Sequence, residues 1–207
     1  MNLEKSIAEH KIIAILRNVP FEKTAAYIGA IYEGGIKLLE IALNSPDALA
    51  QIELARRLYD GKLAVGAGTA ISVPLAQAAV NAGAQFLLSP SSGADVLEYC
   101  QNQGIALLPG VMTPTDVAAC LKYGFNTLKL FPAGDLPLTY INSLKGPFSD
   151  TSYVAVGGVG AHNLREFLKR GFIGAGIGSS LIPKELIAND SWDRAAAQVA
   201  GLVASIN

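Results

Sequence analysis

Lys129 interrupts an apolar run. It stands between Leu128 and Leu130 in "NTLKLFPAG", residues 126–134, with Phe131 and Pro132 just beyond. Taking an ammonium out of water is costly, and desolvation lowers its pKa. A lysine that has lost its proton is a nucleophile, and with a ketone it forms a Schiff base. The protonated imine is an electron sink for the carbon–carbon bond beta to it. Breaking that bond needs a base for the proton of the departing hydroxyl. Glu40, within "KLLEIAL" (37–43), is the candidate, because a carboxylate in a semi-apolar pocket is tuned toward neutral pH. The alternative is a buried Lys129–Glu40 ion pair with no chemical task. Such pairs seldom stabilise a fold relative to apolar replacements, so they need another reason to exist. A second chemistry is suggested by "AVGGVGAHN" (155–163) and "GAGIGSSL" (174–181). Glycine-rich turns after adjacent strands offer backbone N–H groups to an anion. Gly157, Gly158 and Ser179 make these turns a candidate phosphate site.

The elements that must position these groups follow from the hydrophobic pattern. Short apolar runs recur at 12–17, 37–43, 63–68, 85–90, 105–110, 127–132, 153–158 and 172–178. They are the length of strands buried on both faces. Amphipathic segments follow at 22–33, 46–59, 73–83, 94–104, 114–124, 137–146, 161–171 and 192–206. Several end at a glycine (Gly83, Gly104, Gly124, Gly171), which stops a helix cheaply in the left-handed conformation. Eight such units predict an α/β protein with the (β/α)8 TIM barrel fold, as a single domain over 1–207. Residues 2–10 add an N-terminal helix capping one end. The rival is a doubly wound open sheet, but no G-x-G-x-x-G follows the first strand.

Side chains alternate along a strand. Lys129 and Phe131 therefore share one face, while Leu128 and Leu130 suit the strand–helix layer. Likewise Glu40 lies with Leu38 and Ala42, opposite Leu39, Ile41 and Leu43. Both charged residues are expected to point into the barrel. Arg17 closes the first strand and Thr69 follows the third, at the strand ends where barrel enzymes carry their chemistry.

Composition narrows the classes. The chain is 51% hydrophobic and 16% charged, with net charge −1, which fits a folded protein and gives no case for nucleic acid or a membrane surface. Cys100 and Cys120 fall in helical segments without metal-like or redox-like spacing, and read as core residues of a reduced, cytoplasmic protein. His10 and His162 have no neighbours that suggest a metal site. "MNLEKSIAEH" carries both signs of charge and does not read as a signal peptide. No apolar run approaches the ~20 residues of a membrane helix.

One set of motifs, in order, covers nearly the whole chain: "EIALNSP" (40–46), "GAGT" (66–69), "LSP" (88–90), "PGVMTPTD" (109–116), "LKLFPA" (128–133) and "AVGGV" (155–159). It resembles the class I aldolases that cleave 2-keto-3-deoxy-6-phosphosugar acids. The resemblance implies a homotrimer of barrels without metal or organic cofactor. It implies that Lys129 forms the imine and that Glu40 shuttles protons through water. By the same resemblance Thr69 meets the pyruvyl carboxylate, Pro90 and Phe131 are apolar walls, and Gly158, Gly178 and Ser179 hold the phosphate. The family's gluconate branch looks like "E-V-T-L-R-T-P" at the second strand, with the arginine on the substrate. Here Asn44 stands at that position, as in the galactonate-like "N-S-P", which leaves Arg17 as the substitute for the carboxylate. The gluconate branch also has a threonine before the glycine pair, where this chain has Val156. Met112-Thr113-Pro114 follows neither branch. The implied reaction releases pyruvate and glyceraldehyde 3-phosphate from the galactonate-type acid. A missing hydroxyl contact is worth about 1 kcal/mol, so some activity on the gluconate epimer is expected too. The other readings are a phosphosugar isomerase or epimerase, and a phosphosugar-binding protein without turnover.

Overall fold

The apolar runs form parallel strands and the amphipathic segments cover them, in a computed structural model that describes residues 1–206. Of the span expected as one domain, Asn207 lies outside the described residues. The strands are β1 (Ile12–Leu16), β2 (Leu38–Ala42), β3 (Ala64–Gly68), β4 (Leu87–Leu88), β5 (Leu107–Leu108), β6 (Gly110–Val111), β7 (Thr127–Leu130), β8 (Ser152–Val156) and β9 (Gly174–Ile177). Their order is β5-β4-β3-β2-β1-β9-β8-β7-β6. The β5 and β6 segments flank Pro109 and belong to one expected strand. β5 pairs with β4 and β6 with β7, so the chain itself closes the ring there. Proline has no N–H to give, which interrupts the ladder, but its carbonyl still accepts the Lys129 N–H at 2.9 Å. The nine segments are thus the eight units of a TIM-like barrel.

The helices are α1 (Leu3–His10), α2 (Thr24–Glu33), α3 (Ala48–Tyr59), α4 (Val73–Asn81), α5 (Ala94–Gln103), α6 (Pro114–Lys122), α7 (Tyr140–Lys145), α8 (Leu164–Lys169), α9 (Lys184–Ala188) and α10 (Trp192–Ala204). The short 3-10 turn Phe21–Lys23 leads into α2. Gly83, Gly104, Gly124 and Gly171 all adopt positive φ at helix ends, as expected. The expected helix at 137–146 begins later, at Tyr140, whose N–H closes a turn on the Pro137 carbonyl. The segment expected helical from 161 becomes helix only from Leu164. No helix was expected at α9.

Two apolar layers result. Ile13, Ile15, Leu38, Phe86, Leu88, Leu108, Val154 and Val156 fill the barrel. Leu39, Ile41, Leu128 and Leu130 face the helices. Ile7 and Leu3 of α1 join the interior cluster. A Cβ on Gly174, at the start of β9, would strike Ile7, so α1 plugs the N-terminal end of the barrel. Burying Ile7 completely is worth roughly 2 kcal/mol. Asn2 caps the helix by accepting the Lys5 N–H at 2.9 Å. The opposite, C-terminal end stays open.

Candidate active site

Strand alternation places both charged residues inside, as expected. Lys129 on β7 is 5% exposed and Glu40 on β2 is 1% exposed. In the ring they are separated by β1, β9 and β8. No ion pair within 4.0 Å joins them among the described residues. The buried ion-pair reading therefore does not describe this geometry. Lys129 Nζ lies 5.0 Å from the centroid of the Phe131 ring, which shares its strand face. Glu40 Oε2 is buried and has no hydrogen-bond partner among the described residues. A buried carboxylate oxygen with no protein donor is open to a water or a substrate group.

Burial acts on the two groups in opposite directions. Desolvation pushes the Lys129 ammonium below its ordinary 10.5; the Glu40 carboxylate opposes this and Arg17 reinforces it. Desolvation raises the Glu40 carboxyl above its ordinary 4.5, against the pull of Lys129 and then Arg17. The site thus holds an amine that sheds its proton readily and a carboxyl that takes one up readily. Room for the carboxyl comes from β3. A Cβ on Gly68 would occupy the space of Glu40 Oε1. Gly66 and Gly68 are consecutive inward positions of β3, and Gly66 pairs with Glu40. The two glycines belong to the "GAGT" motif, and their spacing of two beside an inward glutamate is a sequence signal for this space.

These groups line the floor of a cavity of about 1040 Å³. Arg17, Thr69, Pro90, Phe131 and Val156 form part of its wall. Thr69 has φ +62, a rare conformation for a β-branched residue and a sign of stored strain. Its Oγ1 accepts from Arg17 Nη2 at 3.4 Å and donates to Asn44 Oδ1 at 3.4 Å. Asn44 is exposed and does not line the cavity. It reaches the site only through Thr69.

The far end of the cavity carries Gly157, Gly158, Gly178 and Ser179. Gly157 and Gly158 have φ +87 and +70, and the Gly157 carbonyl accepts the Gly134 N–H at 2.8 Å. Ser180 Oγ donates to the Val159 carbonyl at 2.9 Å, tying the turn after β9 to the turn after β8. The backbone N–H groups of Gly158, Ser179 and Ser180 donate to no protein acceptor among the described residues. Free amides on residues that line one cavity suit the oxygens of an anion.

Sequence reasoning missed Asn18, Lys23, His162, Ser180 and Lys184, which also line the cavity. Ser180 was within reach, as the neighbour of Ser179 in the same turn. Lys23 and Lys184 depend on the packing of segments remote in sequence. The Met112–Pro114 loop is pinned: the Met112 and Thr113 N–H groups donate to the Asp116 carboxylate, and Tyr140 Oη donates to the Met112 carbonyl at 2.7 Å. Cys100 and Cys120 are buried free thiols, pushed up by burial to about 11 and about 12, which leaves them unreactive. Among the described residues no group of His, Cys, Asp and Glu could hold a metal ion.

Comparison with known proteins places these features in company. The profile of the family described as KDPG and KHG aldolase matches residues 3–198. The 2-dehydro-3-deoxy-6-phosphogalactonate aldolase of Escherichia coli (strain K12) is 34% identical over 193 residues, covering 93% of this chain and 92% of the relative. A solved structure described as native KDPGal superposes with a TM-score of 0.84 at 34% identity, over 93% of this chain and 92% of the other. The KDPG aldolase of Legionella pneumophila, with pyruvate captured as a covalent carbinolamine intermediate, superposes with a TM-score of 0.90. Its identity is 27%, over 98% of each chain.

Proposed function

The chain belongs to the KDPG and KHG aldolase family, and we propose that it is a Schiff-base aldolase cleaving 2-dehydro-3-deoxy-6-phosphogalactonate to pyruvate and glyceraldehyde 3-phosphate. The observation that carries this reading is a lysine buried in the cavity floor, shifted toward its neutral form and in no ion pair among the described residues, with a buried carboxyl in the same cavity.

Lys129 Nζ attacks the C2 ketone, and the carbinolamine loses water to give the imine. Glu40 moves the protons of that step, then accepts the proton of the C4 hydroxyl. Electrons of the C3–C4 bond flow into the iminium, and glyceraldehyde 3-phosphate leaves. Glu40 returns a proton to C3 of the enamine, and hydrolysis frees pyruvate and the amine. Arg17 and Thr69 hold the carboxylate, Thr69 being oriented by Asn44. Pro90 and Phe131 exclude water from the imine. The free amides of Gly158 and Ser179, with the turns at Gly157 and Gly178, hold the phosphate. Binding energy from that remote group then positions the reacting carbons. No metal and no organic cofactor takes part.

The galactonate preference rests on Val156, which lines the cavity and offers no hydroxyl to the C4 substituent. The identities lean the same way, 33–34% to relatives named for the galactonate acid against 27–31% to relatives named for the gluconate acid alone. The whole of 1–207 works as one barrel domain, supported by a sheet that runs from Ile12 to Ile177 and by α10 returning to pack on α2 at Gly34 and Val199. The protein acts as a homotrimer in the cytoplasm. Exposed Leu49, Ile71, Leu75 and Met112, all in segments that follow strand C-termini, supply apolar surface for subunit contact. No helix among the described residues is long and apolar enough to cross a membrane.

The test is product analysis with both C4 epimers in the presence of a metal chelator. Equimolar pyruvate and glyceraldehyde 3-phosphate, faster from the galactonate acid and insensitive to the chelator, are expected. Isomerised acid without pyruvate would overturn the assignment.

A further inference from the structure

Lys23 lines the cavity beside the candidate phosphate end, yet its ammonium is already committed. Nζ donates to the Ile187 carbonyl at 2.8 Å and to the Ala188 carbonyl at 3.0 Å, and lies 3.1 Å from Asp190 Oδ1. An ammonium has three protons, and these partners use all three. It therefore has none left for a substrate phosphate. What it does hold is the C-terminal end of α9, where the Ile187 carbonyl also accepts the Asp190 N–H, at the longer distance of 3.4 Å.

The two sides of this contact differ in how well they are fixed. The segment carrying Lys23 is pinned from α3. Fully buried Gln51 donates from Nε2 to the Val19 carbonyl at 2.8 Å and to Thr24 Oγ1 at 2.9 Å, on either side of the lysine. Thr24 Oγ1 in turn donates to the Pro20 carbonyl at 3.3 Å. The opposite side is a helix of only five residues, Lys184–Ala188, of which Leu186 alone is buried. A helix that short has no stability of its own. The contact spans 164 positions of sequence. It is possible because β1 pairs directly with β9, which brings the segments after the two strands together as one wall of the cavity.

We infer that Lys23 is a positioning residue: it clamps α9 so that the turn after β9, with the Ser179 and Ser180 amides, keeps the geometry that binds the substrate phosphate. This rests on the phosphate-end reading given above. The clamp acts on the phosphorylated half of the substrate and not on the pyruvate half, which is bound around Lys129.

The experiment measures aldol synthesis from pyruvate with D-glyceraldehyde 3-phosphate and, separately, with D-glyceraldehyde. It compares the unaltered chain with Lys23→Met, Lys23→Arg and Asp190→Asn. The preference for the phosphorylated aldehyde, as a ratio of kcat/KM, is expected to fall about tenfold to a hundredfold in Lys23→Met, mainly through KM. Lys23→Arg, which still donates to the two carbonyls, should recover part of it. Borohydride trapping of pyruvate alone should change by no more than about twofold. Asp190→Asn should leave the preference unchanged or lower it. A folded Lys23→Met protein with an unchanged preference would mean that the lysine only stabilises the fold, and overturns the inference. So would an Asp190→Asn variant that binds the phosphorylated aldehyde more tightly, because a freed Lys23 would then be touching phosphate itself. Absence of any preference in the unaltered chain would instead remove the phosphate-end reading, and the clamp with it.

Discussion

Burial without an ion-pair partner among the described residues shifts Lys129 toward the neutral form that the proposed chemistry needs, and the charge on Glu40 opposes that shift. The carboxylate supports the proton on Lys129, against desolvation. Glu40→Gln keeps the shape and removes that support, so the Lys129 pKa falls further. The pH of half-maximal imine formation with pyruvate should then move to a lower value than in the unaltered chain. Cleavage itself should fall by roughly 10²–10⁴-fold as the proton shuttle is lost. A midpoint that moved upward would show that the two groups are not coupled in this sense. Val156 is the second residue with a distinct expectation. It is 4% exposed and carries no polar atom toward the cavity. Val156→Thr supplies a hydroxyl, and the gluconate-to-galactonate ratio of kcat/KM should rise about fivefold, the equivalent of about 1 kcal/mol. Parallel turnover measurements on the two epimers check this. No change would locate epimer choice elsewhere in the cavity.

At the scale of elements, the strands explain why so much of the site was readable. A period of two leaves a residue only two faces, so an inward glutamate and an inward lysine could be assigned from their leucine neighbours alone. The chain places Leu38 with the barrel interior, and Leu39, Ile41, Leu128 and Leu130 against the helices, which fits both assignments. The break at Pro109 was less readable. A proline inside an apolar run signals an interruption, but not that the ring closes across it. Helix α9 escaped because five residues carry too little periodicity, and its anchor, Lys23, is remote in sequence. Asn44, which stands where the resembled gluconate branch has its arginine, accepts from Thr69 Oγ1 at 3.4 Å, a contact between two loops that strand periodicity does not predict. The role of Gly68 also depends on a neighbouring strand. Gly68→Ala should displace the Glu40 carboxyl, lowering cleavage by more than tenfold and stability by about 1–3 kcal/mol. Denaturant unfolding and product assays on the same sample check both effects. Full activity in that variant would show that Glu40 does not need the space.

The whole molecule is a division of labour between a rigid ring and the segments at one end of it. α1 plugs the N-terminal end with Ile7 and Leu3, and the groups proposed for chemistry line the cavity at the C-terminal end. The unit count made this architecture legible, because eight strand–helix repeats in 207 residues leave little besides a barrel with short connections. Surfaces were not legible in the same way, since an exposed leucine has no sequence signature of its own. Leu49, Ile71, Leu75 and Met112 are between 36% and 55% exposed, and a trimer would cover such side chains. Light scattering should give a mass three times that of the 21.6 kDa chain, and charged substitutions at Ile71 and Leu75 should reduce it. A monomer with full activity would refute the trimer.

The most direct measurement is covalent. The protein is incubated with pyruvate, reduced with borohydride, digested and mapped by mass. The account predicts one pyruvyl-derived addition, on the peptide carrying Lys129, together with loss of aldolase activity. An addition on another lysine, or no addition with activity retained, would contradict it.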